Sequence, residues 1–132
     1  MSENLSRFCI YTILHTETLN KIFRDGGDGK AKENTKWKEG QRLFLEAQKN
    51  DLQMPIVFAA ADVEGGLLYS AILMDVQVDE EESSTTYKFT RMKPLADKPS
   101  RSLLILKSSS KALSEDYIRP YAICYTPSFI DG

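Results

Sequence analysis

Two apolar runs joined by a Glu-Gly-Gly turn constrain this chain more than any other feature. Pro55-Ile56-Val57-Phe58-Ala59-Ala60-Ala61-Asp62-Val63 leads into Glu64-Gly65-Gly66, and Leu67-Leu68-Tyr69-Ser70-Ala71-Ile72-Leu73-Met74-Asp75-Val76-Gln77-Val78 follows. Adjacent glycines supply the positive φ angles that a tight turn needs, so the spacing predicts an antiparallel hairpin. The second run is apolar at its centre and alternates at Asp75-Val76-Gln77-Val78, the pattern of a buried strand running out to a solvated edge.

Around that hairpin the pattern predicts more strands and little helix. Phe8 to Leu14 is a continuous apolar and β-branched run, read as a buried strand. Leu19, Ile22 and Phe23 share one face of a short helix that Thr16 or Thr18 would cap and that Asp25-Gly26-Gly27-Asp28-Gly29 would stop. Lys30 to Lys36 reads as a polar loop, Trp37 to Gln41 as a turn, and Arg42 to Ala47 as a strand. Thr85 to Pro94 alternates, with Tyr87, Phe89 and Arg91 on one face and Thr86, Lys88 and Thr90 on the other. Ser102 to Leu106 reads as a compact buried strand and Lys111 to Tyr117 as a short capped segment. Tyr121 to Tyr125 reads as a last strand. Six or seven strands with one or two short helices in 132 residues predict a single α+β domain spanning 1–132, built as a small mixed barrel or curved sheet.

Charge is sorted along the chain. From Asn50 to Ser84 there are eight acidic residues and no basic one, whereas Thr85 to Lys111 carries seven basic residues and one acid, Asp97. In a chain of formal net charge −2, that sorting points to an anionic partner. The run Asp79-Glu80-Glu81-Glu82 reads as a solvated turn, because consecutive carboxylates lack the geometry of a cation site. A first basic group, Lys30, Lys32, Lys36, Lys38 and Arg42, surrounds Trp37. A second, with Lys88, Arg91, Lys93, Arg101 and Lys107, follows Tyr87 and Phe89. Basic groups bind phosphates and exposed aromatic rings stack on unpaired bases. The candidate ligand-binding set is therefore Trp37, Tyr87 and Phe89 for stacking, with Lys88, Arg91, Lys93, Arg101, Lys107 and Ser108 for phosphate contacts. The competing use of the three rings is the core, and that of Ser108 is a turn.

No catalytic or metal motif of recognised spacing stands out. Cys9 and Cys124 each sit in an apolar run and read as buried reduced thiols, with a disulfide or a nucleophile as the other uses. His15 is the single histidine, so a Cys-His or Ser-His site has one candidate base and a zinc site has too few ligands. Gly26-Gly27-Asp28-Gly29-Lys30 lacks the spacing of a phosphate loop. Neither metal nor cofactor is expected. No apolar run approaches the roughly 20 residues needed to span a bilayer, and residues 1–7 lack a leader pattern, so no membrane and a cytoplasmic location are expected.

The order Trp37-Lys38-Glu39-Gly40-Gln41-Arg42-Leu43-Phe44, a strand, the Glu64-Gly65-Gly66 turn and the long Leu67 to Val78 strand resembles the centre of PUA-like domains of the EVE and ASCH type. Gly40 stands at the family glycine, with Gln41 where an aspartate is usual. The resemblance, over roughly Trp37 to Met92, implies a PUA-like β-barrel whose pocket reads RNA or a modified DNA base. It also implies a second activity, since some ASCH proteins are amidohydrolases that use lysine, threonine and glutamate. The expected function is thus a noncatalytic nucleic-acid or modified-nucleotide binding module. An amidohydrolase acting on an acylated nucleoside and a protein-interaction module are the alternatives.

Overall fold

The computed structural model describes residues 5–60, 68–95, 104–111, 121–127 and 130. Six strands, β1 (Phe8–Leu14), β2 (Gly29–Glu33), β3 (Pro55–Ala60), β4 (Leu68–Asp79), β5 (Ser84–Pro94) and β6 (Tyr121–Tyr125), form one sheet in the order β2-β5-β4-β3-β1-β6. Only β1 and β3 run parallel, and every other neighbouring pair is antiparallel. Among the described residues two helices, α1 (Thr16–Arg24) and α2 (Lys38–Lys49), complete an α+β fold. The sheet is open, with β2 at one edge and β6 at the other.

The hairpin read from sequence is present as β3 and β4, with Ile56 opposite Ala71 and Phe58 opposite Tyr69. Its Glu64-Gly65-Gly66 turn lies outside the described residues, as do Arg101, Ser102, Leu103 and nearly all of the Lys111 to Tyr117 segment. The rest of the Ser102 to Leu106 run is not the compact buried strand expected, because Leu106 makes only an isolated bridge to Cys124 and Ile105 is 36% exposed. Strands β1 and β6 and helix α1 fall where the pattern places them. The cap of α1 differs: His15 is the N-cap, in extended conformation and with no side-chain cap bond. Gly26 and Gly27 end the helix at φ of 109° and 86°, donating their amides to the carbonyls of Phe23 and Ile22. Those angles suit glycine because they carry no Cβ penalty there.

Three further expectations are overturned. Lys38 to Gln41, expected in a turn, are the first turn of α2, and Arg42 to Ala47, expected as a strand, are its middle; the buried residues Gly40, Leu43, Phe44 and Ala47 recur at helical spacing. The adjacent Leu43-Phe44-Leu45 mimics a strand run, yet Leu45 points outward and is 54% exposed. Lys30 to Lys36 is not simply a loop, because its first half is the edge strand β2, paired antiparallel with β5. Backbone pairing makes that strand. Lys30 and Lys32 point to water while Ala31 packs on the core, and edge lysines of this kind blunt the pairing potential of an open edge.

The two faces of the sheet differ in cover. On one face α2 packs over β4 and α1 over β5, enclosing Ile10, Ile56, Phe58, Ala71, Leu73, Val76, Tyr87, Phe89 and Met92. On the other, Leu104 and Ile130 cover Cys9, Tyr11, Val57, Leu68 and Cys124 at the β1/β6 end. Cys9 and Cys124 stand opposite one another across β1 and β6 as free, buried thiols, and burial pushes both thiols up, that of Cys124 to about 12. The β2/β5/β4 end of this second face carries Lys30, Lys32, Thr86, Lys88, Thr90 and Met74, none of them part of either buried cluster.

Candidate functional site

Alternation along β5 separates the residues that the sequence groups together. Tyr87 and Phe89 turn toward the helices, and Thr86, Lys88 and Thr90 turn toward the uncovered face. Trp37, the residue before α2, is 0% exposed and lies between two rings, Tyr87 at 4.7 Å and Tyr121 at 4.8 Å between centroids. The Trp37 amide donates to the Thr85 hydroxyl at 2.9 Å, and that hydroxyl donates to the Thr35 carbonyl, so β5 fixes the approach to α2. Gly40 donates its amide to the Tyr121 hydroxyl at 2.9 Å, which ties α2 to β6. Trp37, Tyr87 and Phe89, expected as stacking surfaces, are therefore packed in the core and present no ring face to solvent. The physical reason is that Tyr87 and Phe89 alternate onto the helix-covered face of β5, and that Trp37, at the start of α2, is held between the Tyr87 and Tyr121 rings.

The basic residues divide into three groups. Lys88 is exposed on β5 and stands directly opposite Lys30 on β2. Like charges at facing positions destabilise a strand pair, and neither lysine forms a salt bridge among the described residues. Lys93 lies farther along β5, opposite Ser70, and Arg91 occupies an irregularity between them at φ 59°; both have contacts of their own. Lys107 is elsewhere, its ammonium 5.2 Å from the Phe8 ring centroid near the β6 edge, with Ser108 exposed in the adjoining turn. The structure thus brings Lys88 together with Lys30, keeps Arg91 and Lys93 on the same strand, and sets Lys107 and Ser108 at the opposite end of the sheet.

Around Lys30 and Lys88 lies an open concavity of about 480 Å³, lined also by Asp28, Gly29, Met74, Phe89 and Thr90. Met74 is 57% exposed because β4 carries an extra residue there, Leu73 pairing with Phe89 and Asp75 with Lys88. Such a bulge places two residues against one and re-aims the side chains. The Thr90 hydroxyl donates to Asp28, and Gln77 donates to Asp75 at 2.9 Å. The floor is mixed: two lysines, an apolar methionine, and one carboxylate, Asp28, that accepts a hydrogen bond, with Asp75 just outside it as the β4 partner of Lys88. Sequence reasoning missed Met74 and Asp28 and grouped Lys30 with Trp37. The Lys30-Ala31-Lys32-Glu33 alternation was the available signal for Lys30, whereas nothing local marks a bulge at Met74.

The acidic turn between β4 and β5 meets the first basic group. Glu82 pairs with Lys32 at 2.8 Å, and Glu80 with Lys36 at 3.2 Å and Lys38 at 3.3 Å. Hydrogen bonds from Lys36 and Lys38 hold the Glu80 carboxyl below its ordinary range, and its bond to Glu82 holds the Lys32 ammonium above its own. Arg42 is taken by Glu39 and Glu46 on its own helix.

On the helix-covered side, β2 contributes Glu33, half-buried near Tyr87. Burial raises the Glu33 carboxyl above the usual carboxylate range. Burial, then the charge of Glu33, raises the Tyr87 phenol, whose oxygen is buried without a hydrogen-bond partner among the described residues, as is the Trp37 indole nitrogen. A raised folded-state carboxyl means that the folded chain holds its proton more tightly than the unfolded one. Stability from that group is then present at low pH and lost as pH climbs through the carboxylate range. Glu33→Gln should raise the melting temperature by a few degrees at pH 7.5, with the gain fading as pH falls toward about 4. Calorimetry across that range checks it, and a pH-independent difference contradicts it.

Among the described residues no group of three His, Cys, Asp or Glu side chains is placed to hold a metal ion, and no helix is long and apolar enough to cross a membrane. Set against protein-family models, curated proteins and solved structures, the chain matches none.

Proposed function

We propose that the uncovered β2/β5/β4 face binds the phosphate backbone of single-stranded nucleic acid, in a PUA-like module whose sheet stays open. The observation that carries this reading is the facing pair Lys30 and Lys88, without an ion pair or a covering helix among the described residues. Two opposed ammonium groups weaken the strand pair, and an anion bridging them would remove that repulsion. Met74 adds exposed apolar surface against which a sugar or base can rest. Because the three large rings of the original expectation are in the core, affinity would come from charge, with little stacking and little base preference.

The double variant K30A/K88A separates this role from a structural one. Both side chains are exposed, so the fold should be unaffected within about 0.5 kcal/mol. Binding of a fluorescein-labelled oligothymidylate, followed by anisotropy, should weaken about tenfold at low salt, and the slope of log K against log salt should flatten by about 1.4. Unchanged affinity and slope would defeat the reading.

One observation favours the amidohydrolase alternative: Thr90, hydrogen-bonded to Asp28, shares the concavity with two lysines. Release of a carboxylic acid from an N-acylated nucleoside, abolished by Thr90→Ala, without oligonucleotide binding, would move the assignment there.

A further inference from the structure

We infer that Lys32, Lys36 and Lys38 form a second polyanion-contacting patch, which Glu80 and Glu82 occupy in the free protein. The inference rests on the reading of the uncovered face, which it extends around the β2 edge. Lys32 is the next residue after Lys30 on the same side of β2, so the patch continues the proposed surface without a gap.

The acidic turn is organised as an internal occupant. Asp79 closes the turn itself, its carboxylate accepting the amides of Glu81 and Glu82 at 3.0 and 3.1 Å. Glu80 is left to bridge two lysines and Glu82 to meet the third, across 42 to 50 residues of sequence. Glu81 meets no cation among the described residues. The side chains in these pairs are between 34% and 62% exposed, so each pair contributes little and is screened by salt. A phosphate chain already held at Lys30 and Lys88 presents several charges at high local concentration and can displace two carboxylates bound this weakly. Displacement would add up to three ammonium-phosphate contacts to the two already proposed.

The double variant E80Q/E82Q removes the occupant and leaves every lysine in place. Oligothymidylate should bind about tenfold tighter at low salt, with a salt dependence steeper by about 2 in log-log slope. The variant E17Q/E81Q makes the same change in net charge at exposed sites outside these pairs and should shift affinity less than about twofold, which separates displacement from a long-range charge effect. Adding K36A/K38A to E80Q/E82Q should cancel most of the gain. Equal effects of the two glutamine pairs, or no effect of E80Q/E82Q, would overturn the masked patch. Wild-type binding that K30A/K88A weakens would leave the uncovered-face reading standing even then. Conversely, binding seen only in E80Q/E82Q would support the patch while defeating that reading, and absence of binding in every variant would defeat both.

Discussion

Replacing Trp37 with alanine should cost about 3–5 kcal/mol of unfolding free energy, the range for deleting a large buried aromatic side chain. A domain of this size has roughly 5–15 kcal/mol in total, so the variant should unfold at a much lower urea concentration. The cause is placement: Trp37 is stacked between Tyr87 and Tyr121, and Tyr87 in turn lies near Phe58 and Phe89, so one indole links β5, β6 and the start of α2. Trp37→Phe should cost less, about 1–2 kcal/mol, because much of the apolar contact survives and the lost indole N–H has no hydrogen-bond partner to abandon among the described residues. Urea unfolding followed by far-ultraviolet circular dichroism measures both. A cost below about 1 kcal/mol for the alanine variant would remove Trp37 from the core. The same burial means that nucleic acid should leave the fluorescence of Trp37 nearly unchanged while anisotropy of a labelled oligonucleotide reports binding.

How far the sequence carries depends on whether the information is local. The β3/β4 strands, β1, β6 and α1 are written in contiguous apolar patterns, and each is where those patterns place it. Helix α2 was hidden because Leu43-Phe44-Leu45 satisfies a strand run over three residues, and only the longer Gly40, Leu43, Phe44, Ala47 spacing reveals the helical period. Strand β2 was hidden because its inward side holds little more than Ala31, so its formation depends on β5, which lies far along the chain. The candidate site divides the same way. The alternation of β5 was legible, but which side the helices cover was not, and that choice sends Tyr87 and Phe89 into the core and Lys88 to the surface. The acidic turn was legible as exposed, whereas its pairing with Lys32, Lys36 and Lys38 depends on the register of β2 against β5.

Gly27→Ala should destabilise the fold by about 2–4 kcal/mol, and Gly26→Ala by only about 1–2 kcal/mol. Both glycines have positive φ, so both substitutions carry backbone strain, but only one has a neighbour in the way. A Cβ on Gly27 would lie 2.9 Å from the Met92 amide nitrogen and 3.0 Å from its carbonyl oxygen, whereas a Cβ on Gly26 meets nothing within 4 Å. The obstruction is main chain, which cannot swing aside as a side-chain tip can. Met92 also donates its amide to the Gly27 carbonyl at 3.0 Å, at the point where Arg91 takes its left-handed conformation and the β4/β5 register shifts. Gly27 therefore holds the β5 irregularity that lies between Lys88 and Lys93. Forcing the two chains apart there should also displace β2, which starts at Gly29, and so alter the spacing of Lys30 and Lys88. Gly27→Ala should therefore weaken oligothymidylate binding even at temperatures where it is folded, while Gly26→Ala should not. Equal costs for the two variants would show that strain in φ is the whole effect. Unequal costs with equal affinities would show that the irregularity serves the fold and not the basic surface.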